Sequence, residues 1–146
     1  MKEMQFVVEI NATKLVVWDT LWQDETFREW ASIIDSGTYM TGELKEGNEV
    51  QFISSENGYG VTSLVEKLTP GEFLLLRHSA DTQDAGKHER AEEWTGGVES
   101  YSLAQKGGTT TLSAEFDLPP ELEEYFRVNY PKALDKVKEL AEGISD

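Results

Sequence analysis

The chain contains no cysteine. That excludes disulfides, thiol nucleophiles and thiolate metal sites. It has only two histidines, His78 and His88. A zinc hydrolase site needs two or three His and a carboxylate at fixed spacing, and no such pattern occurs, so no metal or cofactor is expected. Basic residues are also scarce, with 13 Lys+Arg against 28 Asp+Glu for a formal net charge of −15. For this mass that is about one excess negative charge per 500 Å² of surface. Such a surface repels phosphate backbones and anionic membranes, which excludes both nucleic acid and stable membrane association as expected partners. No apolar run reaches the ~18 residues of a membrane span. The longest, Phe73-Leu74-Leu75-Leu76, is strand-sized. The first residues carry no apolar signal core, so a cytoplasmic location is the expectation.

What the chain does have is length for one domain, 146 residues, and 15 aromatics, comprising 4 Trp, 5 Tyr and 6 Phe. Acidic disordered segments lack such residues. Gln5 to Ile10 alternates as a strand, with Phe6, Val8 and Ile10 on one face. Asn11 or Thr13 then caps a helix over Lys14 to Trp22, and Asp24 starts a second short helix with Phe27, Trp30 and Ile34 on one face. From Gly37 the period changes to two. Strands are expected at about 38–44, 48–54, 59–68, 72–80, 93–105 and 109–118, separated by turns rich in Gly and Asn. The clearest is the last, where Thr110, Leu112, Ala114, Phe116 and Leu118 share a face. After Pro119-Pro120 comes a long helix with one apolar stripe through Phe126, Tyr130, Leu134 and Val137. Pro131 inside it predicts either a kink near Asn129-Tyr130 or two helices.

The expected architecture is therefore a single α+β domain over 1–146. A seven-stranded antiparallel sheet wraps around a long C-terminal helix, with two short helices after the first strand. A sheet gripping a helix cannot close tightly everywhere, so an elongated cavity between them is expected.

Several segments carry a family likeness. They are Phe6 to Ala12 leading into Val17-Trp18-Asp19-Thr20-Leu21, then Phe27-Arg28-Glu29-Trp30, the hairpin from Tyr101-Ser102-Leu103 to Gly107-Gly108-Thr109, and the closing Pro131 to Lys138. In this order and at this length the chain resembles the helix-grip (SRPBCC) superfamily, which includes START lipid-transfer domains and birch-pollen-allergen proteins. Within it, the chain is most similar to the branch named for homologues of the activator of heat-shock protein 90 ATPase. The resemblance implies the fold; it does not imply one function, because this fold carries many.

Among individual residues, the phase of strand 72–80 matters most. One phase points Leu74, Leu76 and His78 at the helix, the other Phe73, Leu75 and Arg77. The first is favoured, because an inward arginine needs a buried counter-charge whereas a neutral histidine is cheaper to bury. His88 falls in the charged stretch Asp84 to Glu93, read as a mobile solvated loop. Glu92, Glu93, Glu123 and Glu124 read as solvated. Glu99 shares a face with Tyr101 and Leu103. It is expected at the open end of the sheet, in water; if it points inward instead, desolvation would suit it to acid–base work. No nucleophile elbow, Ser-x-x-Lys pair or phosphate loop occurs.

Three functions compete. In the first, favoured here, a small hydrophobic or aromatic ligand sits in a cavity lined by Trp22, Trp30, Tyr39, Phe52, Leu76, His78, Trp94, Tyr101, Leu103, Leu112, Phe126, Tyr130 and Leu134. Its mouth would be formed by the second helix and the loop around Asp81 to Arg90. In the second, the same pocket belongs to an enzyme of the aromatase/cyclase or hydrolase sort found in the superfamily, with His78 or Glu99 as acid or base. In the third, suggested by the branch name, the acidic surface docks a protein partner such as a chaperone. A monomer or a homodimer fits any of them.

Overall fold

A computed structural model describes residues 2–90 and 96–145. The chain opens with strand β1 (Lys2–Ile10), then helices α1 (Lys14–Trp22) and α2 (Asp24–Ala31). Strands β2 (Thr38–Thr41), β3 (Glu49–Ser54), β4 (Gly60–Thr69), β5 (Phe73–Gln83), β6 (His88–Glu89), β7 (Val98–Lys106) and β8 (Thr109–Leu118) follow. A 3-10 turn over Pro120–Leu122 leads into helix α3 (Glu123–Ser145). Seven strands form one curled antiparallel sheet in the order β1-β8-β7-β5-β4-β3-β2, and the two-residue β6 pairs with the end of β5. No helix among the described residues is long and apolar enough to cross a membrane.

Local sequence explains the elements. Thr13 caps α1 by accepting from the Val16 N–H. All five alternating residues expected inward on β8, from Thr110 to Leu118, are buried. Opposite them on β1, Phe6 faces Ala114 and Val8 faces Leu112, so two apolar faces meet in register. Helix α3 lies against α1, α2 and β1, burying Phe126, Tyr130, Ala133, Leu134, Val137 and Ala141.

Pro131 does not divide α3 into two helices; the helix is continuous over Glu123–Ser145. Proline deprives the Arg127 carbonyl of its usual N–H donor. Phe126 and Tyr130 before the proline, and Ala133 and Leu134 after it, are all in the core and hold both halves in place.

The larger departures from expectation lie around β5. Leu74, Leu76 and His78 do point inward, with 0%, 0% and 2% exposure. The strand then runs three residues past the expected end. The expected mobile loop after it begins instead as a hairpin, with Gln83 paired to His88 and Thr82 to Glu89. Its turn uses Asp84 and Ala85, both at φ 55°, and the Ala85 N–H donates to the Gly58 carbonyl at 3.0 Å. This anchor ties the hairpin to the β3–β4 turn. His88 itself is exposed, 3.5 Å from Asp84. Glu92, Glu93 and Trp94, and the expected start of strand 93–105, lie outside the described residues.

A second departure is a bulge. Thr62 pairs with Ala80 but Ser63 with His78, so Ser79 has no partner on β4. A one-residue bulge exchanges the two faces of everything beyond it. Asp81, which strict alternation from Leu74 would turn outward, is therefore inside with 1% exposure, beside Val61.

Candidate functional site

A cavity of about 400 Å³ opens between the curled sheet, α2 and the start of α3. Phe27, Trp30, Ala31 and Ile34 supply one wall, Phe52, Ile53, Gly60 and Val61 of β3 and β4 another, and Leu122, Tyr125 and Phe126 a third. Tyr59 and Tyr125 stand at its mouth with 49% and 47% exposure, so two aromatic edges rim an apolar interior. The Arg90 guanidinium lies 4.9 Å above the Tyr59 ring, and its Nε donates to the Thr82 carbonyl at 2.8 Å. Asp35 is also at the mouth, with its carboxyl raised above the usual range by partial desolvation and then by the negative charge of Glu56.

Inside, Asp81 and Glu99 join the lining. Glu99 does not extend into open water as expected; its side chain is only 22% exposed. It stands on the inward face of β7 because that strand keeps one phase through Tyr101 and Leu103, both buried. Behind it lies a polar chain embedded in the core. The Tyr101 hydroxyl donates to Glu99 Oε2, and the Tyr130 hydroxyl is 2.7 Å from that of Tyr101. A carboxylate only accepts, so the single Tyr101 proton goes to Glu99 and Tyr130 donates to Tyr101. On the other side His78 Nε2 is 3.5 Å from Glu99 Oε1, longer than a good hydrogen bond, and its Nδ1 is 2.8 Å from Ser63 Oγ. Glu99 is thus the one member of this chain that reaches the cavity.

Both buried tyrosines are held well above the ordinary phenol value, by burial first and by the charge of Glu99 second. The sign of the pH dependence follows. Between the unfolded value near 10.0 and the raised folded value, the unfolded chain has released protons that the folded chain retains. Stability is full below pH ~10 and declines above it, by up to about 1.4 kcal/mol per pH unit for each tyrosine. An alkaline titration followed by tyrosinate absorbance is expected to show Tyr101 and Tyr130 ionising only with loss of the near-ultraviolet dichroism of the fold. Smooth titration of all 5 tyrosines in the folded protein would refute their burial.

Of the residues expected to bind ligand, Trp30, Phe52 and Phe126 line the cavity, as does the acid–base candidate Glu99. Trp22, Leu76, His78, Tyr101, Leu103, Leu112, Tyr130 and Leu134 lie beneath it in the packed core. Trp22 packs against Phe27, Trp30 and Tyr101 with ring centroids 6.1, 6.3 and 5.0 Å away. Tyr39 is half-buried on β2 under the Arg28 guanidinium at 5.2 Å, away from the lining. Trp94 lies outside the described residues. The expected mouth segment does contribute both its ends, Asp81 and Arg90. Sequence reasoning passed over Ala31, Val61, Tyr59 and Tyr125. Only the one-face spacing of Phe27, Trp30 and Ile34 signalled a wall, and all three line the cavity. Among the described residues no group of three or more His, Asp or Glu side chains is arranged to hold a metal ion.

No family model matches the chain, and no curated protein matches it. Solved structures do. The Aha1 dimer from Colwellia psychrerythraea superposes with a TM-score of 0.73 at 16% identity, covering 97% of both chains. CalU16 from Micromonospora echinospora superposes at 0.62 with 17% identity, over 95% of this chain and 75% of its own. DynU16, a protein of the dynemicin biosynthetic locus, gives 0.69 at 13% identity; the match covers 97% of this chain but 48% of that one. At such identities the likeness is one of architecture. The chain has the helix-grip fold, the α+β architecture that its sequence resemblance implies.

Proposed function

We propose that the chain is a small-molecule binding domain that holds an apolar or aromatic ligand in the cavity under α2 and α3. The observation that carries this reading is the cavity itself. Its volume of about 400 Å³ lies within the roughly 300–1,000 Å³ of small-molecule sites, and its walls are mainly apolar with a few convergent polar groups. A packed core of this size gains nothing from leaving such a space, since unfilled volume forfeits dispersion contacts. Affinity would come from apolar surface removed from water, at roughly 25 cal/mol per Å² before the costs of association. The rim tyrosines and the interior carboxylates would set orientation.

The test is a thermal-shift screen of lipids and aromatic compounds. A ligand at about one hundred times its Kd adds about 2.7 kcal/mol. For a chain of this length that is a rise in midpoint of about 5–10 °C. If no compound in a chemically broad library moves the midpoint, the reading fails.

A further inference from the structure

The charge inside the cavity is lopsided. Asp35, Asp81 and Glu99 line it, against Arg90 as the single Lys or Arg among the described lining residues. That guanidinium is already engaged with the Thr82 carbonyl and the Tyr59 ring. We propose that the cavity selects a cationic ligand, a protonated amine on an apolar or aromatic body, with the ammonium group held by Glu99. This deepens the binding reading above and rests on it.

Glu99 is prepared for that role from behind. Tyr101 donates to one of its oxygens, and His78 lies 3.5 Å from the other. A tyrosine this deeply buried stays protonated, so it remains a donor and keeps the carboxylate oriented. An ionised carboxyl has about four acceptor sites and no donor. Those not used by Tyr101 face the cavity, where water or a donor on a ligand can reach them. An ammonium group offers three, together with the opposite charge. A fatty acid or any other anion would instead pass Asp35 at the mouth and meet Asp81 and Glu99 inside. The walls suit the same ligand. The rings of Phe27, Trp30 and Phe126 take up an apolar body, and aromatic faces attract cations where they repel anions. Over longer range the net charge of −15 draws cations toward the mouth.

The test uses three molecules that share one ring system and differ in the head group: naphthylethylamine, naphthylethanol and naphthylacetate. Binding to the full chain is measured by isothermal titration calorimetry. The amine is expected to bind with one site per chain, about tenfold or more tighter than the alcohol, and the acetate weakest. Glu99→Gln keeps an oxygen for Tyr101 and removes the charge. It should weaken the amine by about tenfold or more and the alcohol, which carries no charge, by clearly less. The thermal midpoint of the variant confirms that it is folded.

If the acetate equals the amine, or if Glu99→Gln weakens amine and alcohol alike, the cationic assignment is overturned. The same holds if the amine binds at many sites and ignores the substitution, because the acidic surface then accounts for it. If the alcohol binds best, the cavity is a ligand site but not a cation site. If none of the three binds, the amine proposal is overturned, while the cavity reading stands or falls with the thermal-shift screen.

Discussion

A Gly60→Ala chain is expected to lose about 3 kcal/mol of stability, the upper range for forcing atoms into a packed region. The added Cβ would lie 2.0 Å from the Phe52 carbonyl oxygen and 3.0 Å from the Ile53 Cα. Both are backbone atoms of β3, so no side chain can swing away. Either β4 separates from β3 at the Ile53–Gly60 pair or both strands shift. With a urea dependence of about 1–3 kcal/mol per M, the midpoint should fall by about 1–3 M at unchanged slope. Gly108→Ala is the control. Its Cβ meets nothing within 4 Å, and alanine there restricts the unfolded chain, so that substitution should be neutral or stabilising by up to about 1 kcal/mol. A Gly60→Ala protein with the parent midpoint would show that the two strands do not approach as described. Gly60 also lines the cavity, so the close pairing that demands glycine is part of the wall that shapes the site.

Much of this architecture is legible residue by residue. The β8 alternation is readable because one face is wholly buried and the other is Thr, Ser, Glu and Asp. The phase of β5 is readable because the choice lay between burying Arg77 and burying His78, and Arg77 is indeed exposed, pairing with Glu66 at 3.1 Å. The site is less legible, for two physical reasons. A bulge leaves no composition signal, and the one at Ser79 turns Asp81 from the outer face into the cavity. The position of a cavity depends on where a curled sheet and the helices covering it part, which periodicity along either element does not report. Leu76, Leu103, Leu112 and Leu134 have the right phase, yet they lie in the packed core. Val61, on the same inward face, lines the cavity. Glu99 shows the same limit. Its phase was readable from Tyr101 and Leu103, but its surroundings were not, because they depend on Tyr101, Tyr130 and His78 converging from three elements.

Ala31→Trp should separate the cavity from the rest of the molecule. Ala31 ends α2 with 6% exposure and its side chain lines the cavity, so an indole placed there occupies the space a ligand would take. Ligands found in the thermal-shift screen, and the naphthyl amine, are expected to bind at least ~100-fold more weakly, equivalent to about 2.8 kcal/mol. The fold should not suffer in proportion. Enlarging a side chain is costly where it displaces packed neighbours, whereas here the added ring gains contacts with Phe27, Phe52 and Phe126 across a gap. The unfolding midpoint without ligand is therefore expected to hold or rise. Val7→Trp, on the outer face of β1 at 55% exposure, adds the same ring outside the cavity and should leave binding unchanged. Retained affinity in the folded Ala31→Trp protein would move the binding site elsewhere. Loss of affinity in both variants would mean that the ring, and not its position, is responsible. Only loss confined to Ala31→Trp assigns the ligand to the space between α2, the curled sheet and the first turns of α3.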